Sequence, residues 1–295
     1  MGNNQCVILV PANNGIEPAC DHALRQLERT GYPVWRVPGF SAIDTARSQI
    51  ATDAVARGFE ELMWIDSDME FDPAAVERLR SHNLPIVGGL YSKKGTRALA
   101  SALLPETQKI IFGEGGGLLE IRYAATGFLY TKRQVYLDIQ RLCSLPVCNL
   151  QFNKPLVPFF MTMVVEVEEE DRRSDVGGQK PEGAWAEAHA TGSVADTHSP
   201  THHSPQPNAG GQSPFASPTA QKGTVPAPRH WYLSEDFSFS HRARQAGYKI
   251  FADTTIRLGH IGRYSYAWED AGMTMPRFGA FEFHVSDAKP PANGK

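Results

Sequence analysis

The chain has little cysteine, no excess of basic charge and no long apolar run, and each shortage removes a class of function. Four cysteines, Cys6, Cys20, Cys143 and Cys148, stand among 295 residues. None forms a Cys-x-x-Cys pair, and no histidine lies at zinc-finger spacing from them. Neither a disulfide framework nor a structural zinc site is therefore expected, and a reducing compartment fits. Lysine and arginine number 29 against 32 aspartates and glutamates, a net charge of -3. With no global positive field, no nucleic-acid partner is expected. The longest apolar run, Leu156 to Val165, is too short to span a bilayer and contains Pro158, so no transmembrane segment is expected. Met1 to Gln5 lacks the basic start and apolar stretch of a secretory signal. Met1-Gly2 followed by Cys6 has the look of a lipidation start, but Cys6 opens an apolar run that reads better as a buried strand. The expected location is cytoplasmic, with peripheral attachment to a membrane left open. There is no internal repeat.

What is present has the make-up of a soluble globular chain, 41% apolar and 21% charged. One stretch stands apart. From Glu168 to Arg229 the hydrophobic periodicity disappears, first into charge and then into Pro, Ser, Thr, Gly, Ala and His. Such a composition buries too little apolar surface to offset the entropy of ordering, so 168–229 is expected to be a disordered insertion. Its histidines, His198, His202 and His203, read as part of a solvated tract. The flanking pieces, 1–167 and 230–285, read as one domain split by the insertion, with 286–295 as a flexible tail.

Within those pieces strand and helix patterns alternate. Strands are expected at Cys6–Val10, Pro33–Val37, Leu62–Ile65 and Pro85–Val87, and helices at Glu17–Arg29, Ile43–Arg57 and from Asp72-Pro73 to about Arg80. Pro11 to Gly15 is expected to break the first strand. This order argues for a parallel α/β sheet. The middle is less regular. Arg97–Leu104, Lys109–Phe112 and Leu118–Tyr123 read as strands of an antiparallel part, Lys132–Leu142 as a helix and Pro158–Val167 as a strand. After the insertion, Ser234–Ala246 reads as a helix closed by Gly247, and Lys249–Ala252 and Thr255–Leu258 as strands.

Three local patterns carry chemistry. Asp66-Ser67-Asp68 directly follows the apolar strand Leu62–Ile65. Both carboxylates then lie at the C-terminal end of a strand, the edge where open α/β sheets bind ligands. Two carboxylates one residue apart suit a hard cation such as Mg²⁺ or Mn²⁺, which in turn carries diphosphate oxygens. In Ser234-Glu235-Asp236 the serine is the expected N-cap. The two carboxylates then fall in the first helical turn, where the helix dipole favours the ionised form that a general base needs. His260 lies between Gly259 and Gly262 after an expected strand and is a candidate metal ligand.

The order and spacing of these elements resemble those of GT-A-fold glycosyltransferases, the family-2-like enzymes in particular. Pro11-Ala12-Asn13-Asn14-Gly15 resembles that family's donor-binding loop after the first strand. Ala46-Arg47-Ser48 ahead of Asp66-Ser67-Asp68 resembles its Ala-Arg-Asn segment, with Ser48 departing from the usual Asn. Ala125-Thr126-Gly127-Phe128 resembles the glycine-bearing acceptor-side motif, and Glu235-Asp236 with Arg244 to Tyr248 resembles the Glu-Asp segment and its helix end. The resemblance spans nearly all of the two ordered pieces and none of the insertion.

It implies a GT-A-like, Rossmann-type sheet, mostly parallel with a mixed or antiparallel part. It further implies metal-dependent transfer of a sugar from a nucleotide-sugar donor to a glycan or other hydroxyl-bearing acceptor. In that reading Asp66, Asp68 and His260 hold Mn²⁺ or Mg²⁺, and Pro11, Ala12, Asn13, Arg47, Asp66 and Asp68 meet the donor. Asp236 is the base if the enzyme inverts, Glu235 assists it or holds the acceptor, and Gly127, Phe128 and Trp231 line the acceptor side.

Three rivals are weaker. A haloacid-dehalogenase-type phosphatase requires Thr or Val where Glu70 stands. A nucleotidyltransferase that makes nucleotide sugars wants a basic, glycine-rich loop after the first strand, and Pro11 to Gly15 has one glycine and no charge. A non-catalytic GT-A-like binding module is opposed by the intact set of acidic and histidine positions.

Overall fold

The computed structural model describes residues 2–13, 15–94, 98–167, 229–262, 265–266, 268 and 280–284. The expectations for the low-complexity insertion and its histidines, for Asn14 and Arg97, and for the tail 286–295 lie outside the described residues. The chain divides into two units, Met1–Val165 with His230–Lys295, and Glu166–Arg229. All the elements that position the candidate site belong to the first.

That unit contains the strands β1 (Cys6–Ala12), β2 (Val34–Pro38), β3 (Glu61–Ile65), β4 (Met69–Glu70), β5 (Ile86–Gly89), β6 (Ala102–Leu103), β7 (Lys109–Gly113), β8 (Leu118–Tyr123) and β9 (Phe128–Lys132). They are followed by β10 (Met163–Glu166), which runs one residue past the unit's edge, β11 (His230–Leu233), β12 (Ile250–Asp253), β13 (Gly259–Ile261), β14 (Ser265–Tyr266) and β15 (Ala280–His284). The helices are α1 (Pro18–Arg29), α2 (Ile43–Ala56), α3 (Ala74–Ser81), α4 (Arg133–Leu142) and α5 (Glu235–Gln245).

An eight-stranded sheet in the order β2-β1-β3-β9-β5-β12-β8-β6 forms the centre. The pairings run β2, β1, β3, β5, β12 and β6 in one direction and β9 and β8 in the other, so the sheet is mostly parallel and mixed, as expected. Side chains alternate across it with the strand period of two. In β1, Cys6, Ile8 and Val10 enter one core together with Cys20, Ala23, Leu24 and Leu27 of α1 and Val76 and Leu79 of α3. Val7 and Leu9 enter the other, with Ile50 and Ala54 of α2, Tyr136 and Ile139 of α4, and Phe239 and Ala243 of α5. The result is helix on both faces of a sheet buried on both sides, which is why its strands read as continuous apolar runs.

The structure corrects several expectations. β1 does not stop at Val10. It continues through Pro11 and Ala12, which pair with Val37 and Pro38, because Pro11 needs no N–H in this position. Phe128 is expected in a motif and Lys132 at the start of a helix, yet Phe128–Lys132 is a central antiparallel strand, β9, between β3 and β5. The expected strand at Arg97–Leu104 is reduced to Ala102–Leu103 among the described residues, beside an isolated Ser92–Leu99 bridge. The expected strand Thr255–Leu258 is a turn, since Asp253 Oδ1 accepts from the Thr255 N–H at 2.8 Å and bends the chain. The strand at Pro158–Val167 covers only Met163–Glu166, because Phe159 and Phe160 turn into the core against Tyr136, Trp64 and Phe239. Ser234 does take the N-cap position of α5, but its hydroxyl makes no capping bond.

Candidate functional site

The C-terminal ends of the parallel strands β1, β3 and β5 share one edge of the sheet, and antiparallel β9 begins there. The register Leu9–Trp64 carries Pro11 to the level of Asp66. On the other side of Asp66, its N–H donates to Gly127 O at 2.9 Å. A Cβ on Gly127 would collide with the Tyr91 hydroxyl and lie 3.1 Å from Asp66 Oδ2, so only glycine lets β9 start this close to the carboxylate. The Tyr91 hydroxyl in turn accepts from the Gly127 N–H at 2.9 Å. Beneath the edge the Cys20 thiol donates to Asp66 O at 3.5 Å, and burial pushes that thiol up to about 12, so it stays protonated and inert.

Arg47 gathers the acids. It projects from α2, which buries an unusual share of its polar residues, and its side chain is only 3% exposed. Nη2 donates to both oxygens of Asp66, at 2.8 and 3.1 Å. Nε lies 3.8 Å from Glu235 Oε1 and from Asp236 Oδ1 at the start of α5. Burial opposes the arginine's charge, but the Asp66, Asp236 and Glu235 carboxylates outweigh it and raise its pKa further. Burial first, then the charges of Asp236 and Asp68, raise Asp66 above the usual carboxylate range despite Arg47. Burial and the adjacent Asp236 likewise lift Glu235 to about 7. This corrects the expectation that the helix dipole keeps Glu235 ionised, because desolvation within a cluster of like charges is the stronger effect. Asp236 Oδ1 is buried and has no hydrogen-bond partner.

Asp68 and His260 meet through a small ribbon that the sequence did not announce. β13 pairs with β4, setting His260 opposite Met69, and the Ile261 N–H donates to Asp68 O at 2.8 Å. His260 is thus inside a strand rather than after one. Its Nδ1 lies 2.9 Å from Ser92 O. A carbonyl only accepts, so Nδ1 carries the hydrogen, and in the neutral ring Nε2 presents its lone pair. Nε2 stands 3.6 Å from Asp68 Oδ1, a buried oxygen with no hydrogen-bond partner. The other oxygen of Asp68, Oδ2, is ion-paired with Lys94.

The three expected metal residues therefore divide. Both oxygens of Asp66 are taken by Arg47. Asp68 and His260 fit a cation: two lone pairs face each other across a span compatible with two atoms bonded to one ion at about 2.1 Å each. The second nitrogen of His260 is held by a carbonyl, as in most metal-ligating histidines. Among the described residues no group of three or more His, Cys, Asp or Glu is arranged to hold an ion. Further ligands would have to come from substrate or water.

The remaining expected residues separate in the same way. Pro11 and Ala12 are buried in β1 at the edge beside Asp66, and Asn13 is exposed just beyond them. Phe128 is wholly buried against Phe71, so it forms the floor beneath the site and not an exposed acceptor wall. Trp231 packs with Tyr123 and Phe237 and under Arg122, apart from the acidic cluster in its described contacts. Two contributors were not singled out as site residues. Tyr91 supports Gly127, and Ser92 orients His260 through its carbonyl. Their signal was their place directly after a buried strand in Gly88–Lys94.

No family model matches the chain, and no curated protein matches it. Among solved structures, a crystal structure of a protein from STIV is similar over 90% of this chain and 91% of its own, at 11% identity and a TM-score of 0.45. A glycosyltransferase involved in the glycosylation of the major capsid of PBCV-1 is similar over 47% of this chain and 65% of its own, at 14% identity and a TM-score of 0.29. No helix among the described residues is long and apolar enough to cross a membrane.

Proposed function

We propose that the chain is a glycosyltransferase that moves a sugar from a nucleotide-sugar donor to an acceptor hydroxyl with the help of a divalent ion. The observation that carries this reading is the buried, partnerless Asp68 Oδ1 facing His260 Nε2 at 3.6 Å, beside three carboxylates drawn together by Arg47. A Mn²⁺ or Mg²⁺ held by Asp68 and His260 would supply Lewis-acid neutralisation of the leaving diphosphate. The chain's own residues do the rest.

Asp236 is the base: its free Oδ1 accepts the acceptor's proton, a role worth on the order of 10²–10⁴ in rate. Glu235, lifted to about 7, is partly protonated near neutrality, and in that form it holds the acceptor by donating a hydrogen bond. Arg47 keeps both carboxyl groups and Asp66 in place in a poorly solvated corner. Pro11, Ala12 and Asn13 border the donor side of the same edge.

The test is a panel of nucleotide sugars measured by thermal shift with and without Mn²⁺, on the native chain and on Asp68→Ala. A ligand bound by the folded state alone raises the melting temperature, by about 2.7 kcal/mol of stability at a hundred times its dissociation constant. The expected result is stabilisation by one donor class that needs the metal and disappears in Asp68→Ala. A shift that survives Asp68→Ala, or no shift with any donor, refutes the proposal.

A further inference from the structure

Lys94 is a cation already resting on the metal-side carboxylate. It is the last described residue of Leu90–Lys94, a segment anchored at three points. The Tyr91 hydroxyl accepts from the Gly127 N–H at 2.9 Å, Ser92 O accepts from His260 Nδ1 at 2.9 Å, and the Lys93 N–H donates to Ala98 O at 2.9 Å. The Ser92–Leu99 bridge and the bond from the Ala100 N–H to Tyr91 O, 2.9 Å, pair this arm antiparallel with residues 98–100. The arm that orients His260 therefore also delivers the ammonium to Asp68 Oδ2, while Oδ1 stays without a donor on the His260 side. The two oxygens of Asp68 are used separately, one by the chain's own cation and one left open.

We propose that Lys94 is a second cationic binding group of the donor site. It neutralises Asp68 while the site lacks diphosphate, and moves onto a diphosphate oxygen when donor binds. This rests on the functional reading above and deepens it. The charges favour it: one carboxylate, one divalent ion, one ammonium and the doubly charged diphosphate of a nucleotide sugar balance. Without the diphosphate, ion and ammonium crowd one carboxylate and repel each other. With it, each has its own anionic partner. Lys94 and the metal therefore oppose one another in the absence of diphosphate, and both support diphosphate binding. Because Lys94 is 37% and Asp68 29% exposed, the opposition is that of charges near water. It corresponds to roughly a fivefold effect on affinity.

The test uses Mn²⁺ alone, followed by inorganic pyrophosphate in the presence of saturating Mn²⁺, on the full chain and on Lys94→Gln and Lys94→Arg. Free Mn²⁺ is read by electron paramagnetic resonance and pyrophosphate binding by calorimetry, neither of which depends on turnover. The expected result has opposite signs: Lys94→Gln binds Mn²⁺ several-fold tighter and pyrophosphate several-fold weaker, and Lys94→Arg restores both toward the native values. If Lys94→Gln leaves both affinities unchanged, or weakens both, the role of Lys94 is wrong while the metal reading stands. If the native chain binds no Mn²⁺, the metal reading fails and takes this inference with it.

Discussion

Replacing Arg47 with methionine tests the central electrostatic argument. Methionine keeps most of the volume and removes the charge, so Asp66, Glu235 and Asp236 are left in a buried corner without their cation. Breaking a buried ion pair by deleting one partner costs about 3–5 kcal/mol. In a domain of roughly this size that lowers the melting temperature by roughly 6–20 °C. The pH dependence is more specific than the size of the loss. Burial and Asp236 raise Glu235 from 4.5 to about 7, and Asp66 is raised as well. A carboxyl whose folded pKa is raised favours the fold when protonated. Its contribution is fully present below 4.5 and is lost as pH rises through 7. Arg47 restrains both shifts, so in Arg47→Met they grow. The destabilisation is therefore smallest near pH 5 and largest near pH 8. Urea unfolding followed by tryptophan fluorescence at several pH values between these limits measures it. A loss below about 1 kcal/mol, or one equal at both ends of the range, would refute the reasoning.

Two further outcomes follow from single contacts. Gly127→Ala forces a methyl against the Tyr91 hydroxyl and toward Asp66, so it lowers stability by about 1–3 kcal/mol and weakens donor binding. Gly117→Ala, where a Cβ meets nothing within 4 Å, changes neither in the same melts and titrations. Asp253 is fully buried, yet hydrogen bonds from Thr255, Arg78 and His82 outweigh burial and hold it at about 2, below its ordinary 3.8. Asp253→Asn therefore costs about 2–3 kcal/mol at neutral pH. The gap from the native chain closes as acid takes pH from 3.8 toward 2, where that contribution is lost, and urea titrations at low pH read it directly.

Much of the sheet was legible because buried strands and amphipathic helices leave periodic patterns. Cys6–Val10 and Leu62–Ile65 are short apolar runs, and α1 buries Cys20, Ala23, Leu24 and Leu27 at helical spacing. What was lost lay where tertiary contacts decide. The run Phe128–Lys132 has strand composition and follows a turn at Thr126 and Gly127, but only its neighbours on both sides make it central. β4 is two residues long and exists through its partner β13. The site divided likewise. Asp66, Asp68, Glu235, Asp236 and His260 stood out by type and position. That Arg47 takes Asp66, that Glu235 is neutralised by its neighbours and that Lys94 reaches Asp68 are facts of distance between segments far apart in the chain, and no local pattern records them.

The pairing of β13 with β4 also sets a timetable. Asp68 lies in the first third of the chain and His260 near its end, and the base pair on α5 is likewise late. A ribosome releases the chain from the N-terminus, so β1 to β3 can begin to assemble while the partner of Asp68 is still unmade. Contacts of such long sequence separation form slowly, after the loops between them have closed. The carboxylate edge is thus made before the histidine and the base that complete the site. A chain interrupted during synthesis carries a carboxylate edge with neither its histidine nor its base.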